Sequence, residues 1–176
     1  ISPSTSEKFI KLNHNVFIEK GAGILSGFPD SEYSEATFSS RKDLIRKCDI
    51  LLSVNSSSYG NLSSYKGKIL ISNFSADPDR NNLKKELEKH KIIAYDLSMI
   101  PRTTIAQSMD ILSSMAGLSG YKSIIKAAEL LPKIFPMTIT AAGSIKPVKV
   151  VVLGAGVAGL QAIATAKRLG AIVEAS

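Results

Sequence analysis

Three glycines near the end of the sequence have the spacing of a dinucleotide-binding loop. Gly154, Gly156 and Gly159 follow an apolar run at 150–153, which we predict to be a strand buried on both faces of a parallel sheet. In such a loop the first glycine permits a tight turn, the second leaves room for a pyrophosphate, and the third lets helix and strand pack closely. The amides that begin the next helix then meet the phosphate charge. The predicted cofactor-binding residues of this loop are Gly154, Gly156, Val157, Ala158 and Gly159.

The elements after the glycines are those that the motif requires. We predict a helix at 160–169, closed by Gly170, and a second strand at 171–175. A dinucleotide-binding unit also places an acid after its second strand, about 20 residues beyond the glycines, to hold the ribose hydroxyls. Glu174 lies inside the predicted strand, so we expect the ribose ligand just after Ser176. The alternative for the whole stretch is a glycine-rich turn that binds nothing.

Earlier in the chain, short apolar runs alternate with helical patterns. We predict strands at 16–18, 50–54, 68–72 and 92–95, with helices beginning near Ser2, at 40–47 and at 82–89. This alternation predicts βαβ units and a parallel sheet. The expected fold is therefore α/β, with two Rossmann-like domains joined by a long helix and the second domain truncated. The predicted domains are 1–104, which lacks the glycine motif, the connecting helix at 105–137, and 138–176, which begins the dinucleotide-binding domain.

The predicted connecting helix has an apolar side and a series of small residues. Its apolar residues recur every three to four positions and include Ile105, Met109, Leu112 and Ile124. The small residues, which would let another backbone approach closely, are Ala106, Ala116, Gly120 and Ala127. Two interpretations stay open for them, packing within one domain and contact between two copies of the chain.

Charge and composition exclude several classes of protein. The 176 residues include 22 Lys and Arg against 15 Asp and Glu, a net charge of +7. Acids and bases are interleaved, as at 84–89, which is typical of solvated helix faces and argues against nucleic-acid binding. No apolar run approaches the roughly 18 residues of a membrane span, and the single cysteine, Cys48, indicates a reducing compartment. Because the sequence begins at Ile1 and stops within a predicted unit, we expect a piece of a longer protein.

The segment after Met99 resembles a known family. Residues 101–117 carry Arg102, Gln107 and Asp110 and are similar to the loop and helix, with an Arg, a Gln and an Asp, of the NAD(H)-binding domain of proton-translocating NAD(P) transhydrogenase. The linker at 139–143 and the glycine segment at 149–171 are similar as well. The segments at 1–5 and 19–23 match more loosely.

The resemblance implies that Arg102, Gln107, Asp110 and Ser113 hold the nicotinamide and its ribose at a cleft between two subdomains. If a helix begins near Thr104, the last three of these fall at steps of three and share one side of its first turns. The residues alone leave another interpretation open, in which they cap a helix start and Asp110 pairs with a lysine.

A function follows from the resemblance. This domain is expected to present NADH for direct hydride transfer to NADP⁺ on a partner NADP(H)-binding domain, coupled to proton movement through a membrane domain. Such a transfer requires two nicotinamide rings in near contact, and no catalytic side chain or metal. The implied partners are those two domains and a second copy in a homodimer, with no nucleic acid. The implied location is the cytoplasmic or mitochondrial matrix side of a membrane, reached through the other domains.

Two alternatives are considered. Alanine dehydrogenases share the two-domain architecture and use a lysine and a histidine of the first domain to bind the carboxylate and act as acid and base. At the corresponding strand ends this chain has Ser53 and the segment 72–75, with neither residue, although transhydrogenases also commonly carry a lysine where Ser53 stands. His14 and His90 lie beside polar residues near predicted helix ends, where a surface role is expected. The non-enzyme alternative is a degenerate NAD-binding domain used as an assembly module.

Overall fold

A computed structural model of the chain describes residues 1–75 and 77–176. The chain divides into two compact units, Ile1–Leu97 and Ser98–Ser176. Each unit combines helices with parallel strand pairs, which confirms the predicted α/β class. The domain boundaries inferred from the sequence, after residues 104 and 137, stay predictions.

The first unit contains two parallel sheets. The smaller sheet pairs β1 (Phe17–Glu19) with β2 (Thr37–Ser39), and the larger has the order β3 (Ile50–Asn55), β4 (Ile69–Asn73) and β5 (Ile93–Asp96). Its helices are α1 (Pro3–Lys11), α2 (Arg41–Lys47) and α3 (Arg80–Lys89), and the side chains of Ser2, Ser40 and Asp79 cap them. The sequence did not predict β2, because three residues that include Thr and Ser show no apolar run.

Aromatic side chains close the core of the first unit. Tyr59 stacks on Phe74 and meets Tyr65 edge to face, with ring centroids 6.1 Å and 5.3 Å apart. These rings pack with Leu70 and Ile92, and Leu70 is fully buried in the middle strand β4. The core thus lies on one side of the larger sheet, and β4 is its most protected strand.

In the second unit, a 3-10 turn at Gln107–Met109 precedes α4 (Ile111–Leu130). An antiparallel hairpin, β6 (Thr138–Thr140) and β7 (Gly143–Ile145), occupies part of the segment that we predicted to be a linker. The unit then forms β8 (Lys149–Val152), α5 (Val157–Arg168) and β9 (Ile172–Ala175), with β8 and β9 parallel.

The predicted start of the long helix, near Thr104, is wrong. The helix α4 begins at Ile111 because the Asp110 side chain accepts hydrogen bonds from the amides of Leu112 and Ser113 and so caps it there. It ends at Leu130, because Pro132 favours an extended conformation for Leu131.

The prediction that the strand before the glycines is buried on both faces is also wrong. Val150 packs against the apolar cluster beneath α5, but Val151 is 60% exposed and Leu153 is 86% exposed. Among the described residues, the sheet formed by β8 and β9 has two strands, and α5 covers one of its faces.

Candidate functional site

The glycine-rich turn joins β8 to α5 through a left-handed residue. Gly154 has φ +97°, a backbone conformation that side chains disfavour and glycine adopts freely. The amide of Gly154 donates to the carbonyl of Ser176 at 2.7 Å, and the amide of Ser176 donates to Val152 at 3.1 Å. The turn is therefore fixed against the strand end that follows β9 in the sheet.

Two further glycines of the turn have opposite surroundings. A Cβ atom at Gly159 would collide with the carbonyl oxygen of Gly154, so the first turn of α5 lies directly on the glycine turn. A Cβ atom at Gly156 would meet no heavy atom within 4 Å, so the second glycine borders open space. A tight turn, an open approach and a close packing contact therefore occur in the order that a dinucleotide-binding turn needs.

The N-terminus of α5 offers unused hydrogen-bond donors to that open space. Gly156 is its N-cap residue, and having no side chain it makes no capping hydrogen bond. The amides of Val157, Ala158 and Gly159 belong to the first turn of a helix, where no backbone acceptor precedes them. Within the described residues these three N–H donors have no hydrogen-bond partner, and together with the positive end of a 12-residue helix and the room at Gly156 they suit an anionic group such as a phosphate.

The acid considered for ribose binding is engaged elsewhere. Glu174 forms an ion pair with Lys149, the first residue of β8, and both side chains are more than half exposed. Glu174 is paired with Val151, near the glycine turn, and Lys149 begins the same strand, so the ion pair draws the Glu174 side chain back along β8. The expectation of a ribose ligand just after Ser176 stays a prediction.

The other group of predicted site residues is organised by the N-cap of α4. The carboxylate of Asp110 is 8% exposed and accepts from the amides of Leu112 and Ser113 at 2.9 and 3.2 Å. It also accepts from the Ser113 hydroxyl at 2.6 Å and from Nε of Arg102 at 3.4 Å. The hydrogen bond from the Ser113 hydroxyl lowers the pKa of Asp110, and partial desolvation opposes that shift. Asp110 is therefore an ionised anchor for both neighbours.

Arg102 and Gln107 lie on the outside of this anchor. The Arg102 side chain is 66% exposed and uses only Nε toward Asp110, so its two terminal NH₂ groups stay available to a ligand. Gln107 is exposed in the 3-10 turn before the cap, and within the described residues its side chain has no hydrogen-bond partner. The structure thus brings Arg102, Asp110 and Ser113 into direct contact, with Gln107 on the adjoining turn.

The geometric reason that we gave for this grouping is wrong. Gln107, Asp110 and Ser113 do not share one side of a helix, because α4 starts only after Asp110. The alternative from the sequence, helix-start capping, describes what Asp110 does, although its cationic partner is Arg102 and not a lysine. Capping and ligand binding are compatible, because the outer groups of Arg102 and Gln107 remain exposed.

The helix α4 places both groups on the same side of α5. Gly117 lies opposite Val157, Gly120 lies against Ala158, and Ile124 packs in one apolar cluster with Ala162. Because the residue numbers increase together, the two helices run in the same direction. The first residues of α4 therefore extend beyond the start of α5 by six residues, or about 9 Å. Asp110 lies one residue further, so the cap is about 10 Å before the level of Val157, measured along α4.

Comparison with known families assigns the chain. The model of the alanine dehydrogenase/PNT N-terminal domain matches residues 1–119, and the model of the alanine dehydrogenase/PNT C-terminal domain matches residues 123–176.

The chain belongs to the alanine dehydrogenase/PNT family.

Relatives within the alanine dehydrogenase/PNT family are of two kinds. An NAD(P) transhydrogenase subunit alpha polypeptide of Rhodospirillum rubrum is 38% identical over all of this chain and 48% of its own length. A crystal structure of transhydrogenase from Sinorhizobium meliloti superposes with a TM-score of 0.89 at 38% identity, covering 99% of this chain and 51% of that one. An alanine dehydrogenase of Methanococcus maripaludis is 29% identical over 98% of this chain and 48% of its own length. The chain thus spans about half the length of these relatives, and the resemblance to transhydrogenases is confirmed.

The strand ends at which the sequence lacks a lysine and a histidine carry small polar residues. The Ser53 hydroxyl donates to the carbonyl of Asn55 at 2.8 Å and lies 3.1 Å from the hydroxyl of Ser72, which is fully buried. His90 lies 3.3 Å from Glu86 on the same helix, and His14 is exposed beside Phe9. Within 1–75 and 77–176, no cluster of His, Cys, Asp and Glu could hold a metal ion.

Sequence reasoning noted Gly120 but left its partner open. The structure shows that Gly120 packs within the chain, where a Cβ would collide with the carbonyl group of Ala158. Ala127, the fourth small residue of the predicted series, is exposed, and its neighbour Ala128 packs on the cluster instead. The available signal was a glycine inside a helix, which costs about 1 kcal/mol relative to alanine.

None of the helices in the described part of the chain is long and apolar enough to cross a membrane.

Proposed function

We propose that this chain is the NAD(H)-binding part of a proton-translocating NAD(P) transhydrogenase. In this proposal residues 138–176 begin the domain that holds the dinucleotide, and the chain presents NADH for direct hydride transfer to NADP⁺. One observation carries the proposal. The N-terminus of α5, whose N-cap Gly156 has no side chain, and the start of α4, which Asp110 caps and which extends beyond α5, lie in one unit.

The α5 end of the site suits the pyrophosphate. The amides of Val157, Ala158 and Gly159 point out of the first turn of α5, and the absence of a side chain at Gly156 lets phosphate oxygens approach them. Gly154 and Gly159 support this surface from behind, since one makes the turn and the other packs on it. The chain therefore offers backbone donors of fixed direction rather than mobile side chains.

The α4 end of the site suits the nicotinamide and its ribose. The exposed NH₂ groups of Arg102 can donate to the carboxamide oxygen or to ribose oxygens, and the Gln107 amide can both donate and accept. We assign Asp110 two roles, as the acceptor that orients Arg102 and as a contact to ribose or carboxamide protons, with Ser113 holding its carboxylate in place. The offset of about 10 Å along α4 between the cap and the amides of α5 suits a ligand that has a charged middle and a polar ring at one end.

Bound there, NADH supplies the hydride. The residues of this chain need only position its nicotinamide ring and exclude water, because hydride transfer between two rings requires no nucleophile or general acid from the protein. We accordingly assign no catalytic side chain. The NADP(H)-binding domain and the membrane domain are the partners in this proposal, with a second copy of the chain in a homodimer, and proton flow through the membrane domain biases the exchange.

The second candidate function is an alanine dehydrogenase-like oxidoreductase. The 29% identity to an alanine dehydrogenase supports this candidate. The identity to a transhydrogenase subunit is higher, at 38%. Carboxylate binding and proton transfer would require a cation and a base at the strand ends, where Ser53 and Ser72 bond to each other and to the backbone instead. Short hydroxyls cannot supply the charge, so this alternative is the weaker one.

Two assays on the full-length protein separate the candidates. Mixing it, together with its NADP(H)-binding partner domain, with NADH and an NADP⁺ analogue whose reduced form absorbs at its own wavelength reports transhydrogenation. Mixing it with NADH, pyruvate and ammonia reports the dehydrogenase. We expect turnover in the first and none in the second. Turnover only in the second would replace the proposal by its rival, and NADH binding without either turnover would favour the assembly module. Loss of NADH binding altogether would end the enzyme proposal.

A further inference from the structure

The geometry points to Gly120 as a positioning residue that sets the spacing between the two ends of the dinucleotide site. This inference rests on the proposed function, because it takes one NADH to span from the α5 amides to the Arg102 and Asp110 group. Gly120 contacts the carbonyl side of Ala158, and it contacts none of the amides or side chains that the proposal assigns to the ligand. It acts through the place where α4 crosses the first turn of α5.

The contact at Gly120 is between backbones. A Cβ at this position would collide with the carbonyl oxygen of Ala158 and would come within 2.9 Å of its carbonyl carbon. Because these are main-chain atoms, no side-chain rotation can relieve the collision. One helical turn earlier, a Cβ at Gly117 would meet only the Val157 side chain, at an ordinary 3.9 Å. Packing therefore requires a glycine at position 120 and not at position 117.

Relief of a collision at Gly120 must come from α4 rather than from α5. The first turn of α5 is held by Gly159 against the carbonyl of Gly154, and Ala162 and Ala166 are buried over β8 and β9. The N-terminal half of α4 is far less enclosed, since Met115 is 62% and Leu118 is 61% exposed. An added methyl group therefore moves the start of α4 away and leaves the α5 amides in place.

The displacement grows toward the Asp110 cap. Ile124 is 7% exposed and anchors α4 in the apolar cluster with Phe135. It lies four residues after Gly120, about 6 Å along the helix, whereas Asp110 lies 14 residues before Ile124, about 21 Å away. A tilt about Ile124 is thus amplified about threefold at the cap. The pyrophosphate and nicotinamide ends of the site separate, although each end keeps its own groups.

Gly120→Ala in the full-length protein tests this spacing with two ligands. ADP probes the α5 end alone, and NADH requires both ends. We expect Gly120→Ala to raise the Kd for NADH at least tenfold and to leave the Kd for ADP within twofold of wild type. The matched control is Gly117→Ala, which makes the same change one turn away and should leave both values within twofold.

Other results are equally decisive. Equal weakening of ADP and NADH binding would show a merely structural role, and unchanged NADH binding in a folded variant would also overturn the inference. If Gly120→Ala does not fold, Gly117→Val takes its place, because its longer side chain presses on Val157 farther from the anchor and tilts α4 less. The same selective loss of NADH binding, smaller in size, is then expected. Equal loss of ADP and NADH binding, or no loss of NADH binding, would contradict the inference. A wild-type protein that binds no NADH refutes the proposed function instead.

Discussion

The hydroxyl of Ser113 donates a 2.6 Å hydrogen bond to Oδ2 of Asp110, the same oxygen that receives Nε of Arg102 at 3.4 Å. One carboxylate oxygen thus links a residue in the first turn of α4 to the exposed arginine of the preceding loop. The other oxygen of Asp110 caps the helix through two amides. Helix capping and the orientation of Arg102 therefore depend on a single ionised side chain.

This arrangement predicts a pH-dependent contribution to stability. The pKa of Asp110 is lowered, chiefly by the Ser113 hydroxyl, while the unfolded chain takes up its proton at the ordinary aspartate pKa of about 3.9. The contribution is therefore complete above that ordinary value and is lost as pH falls through the lower folded pKa. Urea denaturation of wild type and Asp110→Asn across this range measures it, because asparagine still caps the helix. Parallel pH profiles for the two proteins would contradict the assignment.

The Ser113 hydroxyl can be tested on its own. Ser113→Ala removes the shortest hydrogen bond to Asp110 and should raise the pKa of that carboxyl toward its ordinary value. Ser114→Ala is the control, because its hydroxyl contacts only the backbone carbonyl of Asp110, at 3.4 Å. Carboxyl chemical shifts followed by NMR during an acid titration report the change. A pKa that moves equally in the two variants would mean that the Ser113 bond is not its main cause.

The glycine turn predicts different outcomes for adjacent substitutions. Gly159→Ala pushes a methyl group into the Gly154 carbonyl and should destabilise the protein by about 1–3 kcal/mol, the usual cost of overpacking. Gly156→Ala meets open space at an ordinary φ of −74°, so it should preserve stability and weaken NADH binding. Thermal unfolding and NADH titration of both variants check this. A stable Gly159→Ala protein, or full NADH affinity in Gly156→Ala, would contradict the geometry.

A tyrosine hydroxyl between two strands is predicted to stabilise the first unit. The hydroxyl of Tyr59 lies 2.9 Å from the carbonyl oxygens of both Leu51 and Ile71, on β3 and β4. Tyr59→Phe leaves these oxygens without that donor and should cost about 1–3 kcal/mol. Tyr65→Phe is the matched control, because Tyr65 is equally buried and its hydroxyl has no hydrogen bond among the described residues. Equal unfolding free energies for the two variants would show that the hydroxyl of Tyr59 contributes nothing.

Features encoded by neighbouring residues were predictable from the sequence. The order of strand, glycine turn, helix and strand around Gly154 was correct, because turn formation at glycine and helix initiation depend on local chemistry. The start of α4 was not predictable in this way. Ile105 and Met109 continue the apolar spacing of the helix, but Asp110 caps it six residues after the predicted start, and periodicity does not reveal which residue will cap.

Long-range packing accounts for the other differences. An apolar run such as 150–153 indicates a strand but cannot show how many of its faces are covered, and Val151 proved to be exposed. Gly120 was recognised as a small residue on a helix, whereas its contact with Ala158 depends on how two helices cross 38 residues apart in the chain. Arg102 and Asp110 were expected in one site, but their direct hydrogen bond required the geometry of the cap.

The central claim, that the exposed arginine of the α4 cap and the free amides of α5 hold one NADH, is tested most directly by titrating the full-length protein with NADH and following its fluorescence. Arg102→Ala removes the cation at the nicotinamide end, and Arg168→Ala removes an arginine from the last turn of α5, far from its amides. We predict that Arg102→Ala raises the Kd about tenfold or more, as expected for a charged hydrogen bond, and that Arg168→Ala stays within about twofold of wild type. An Arg102→Ala protein that binds NADH as tightly as wild type would contradict the account.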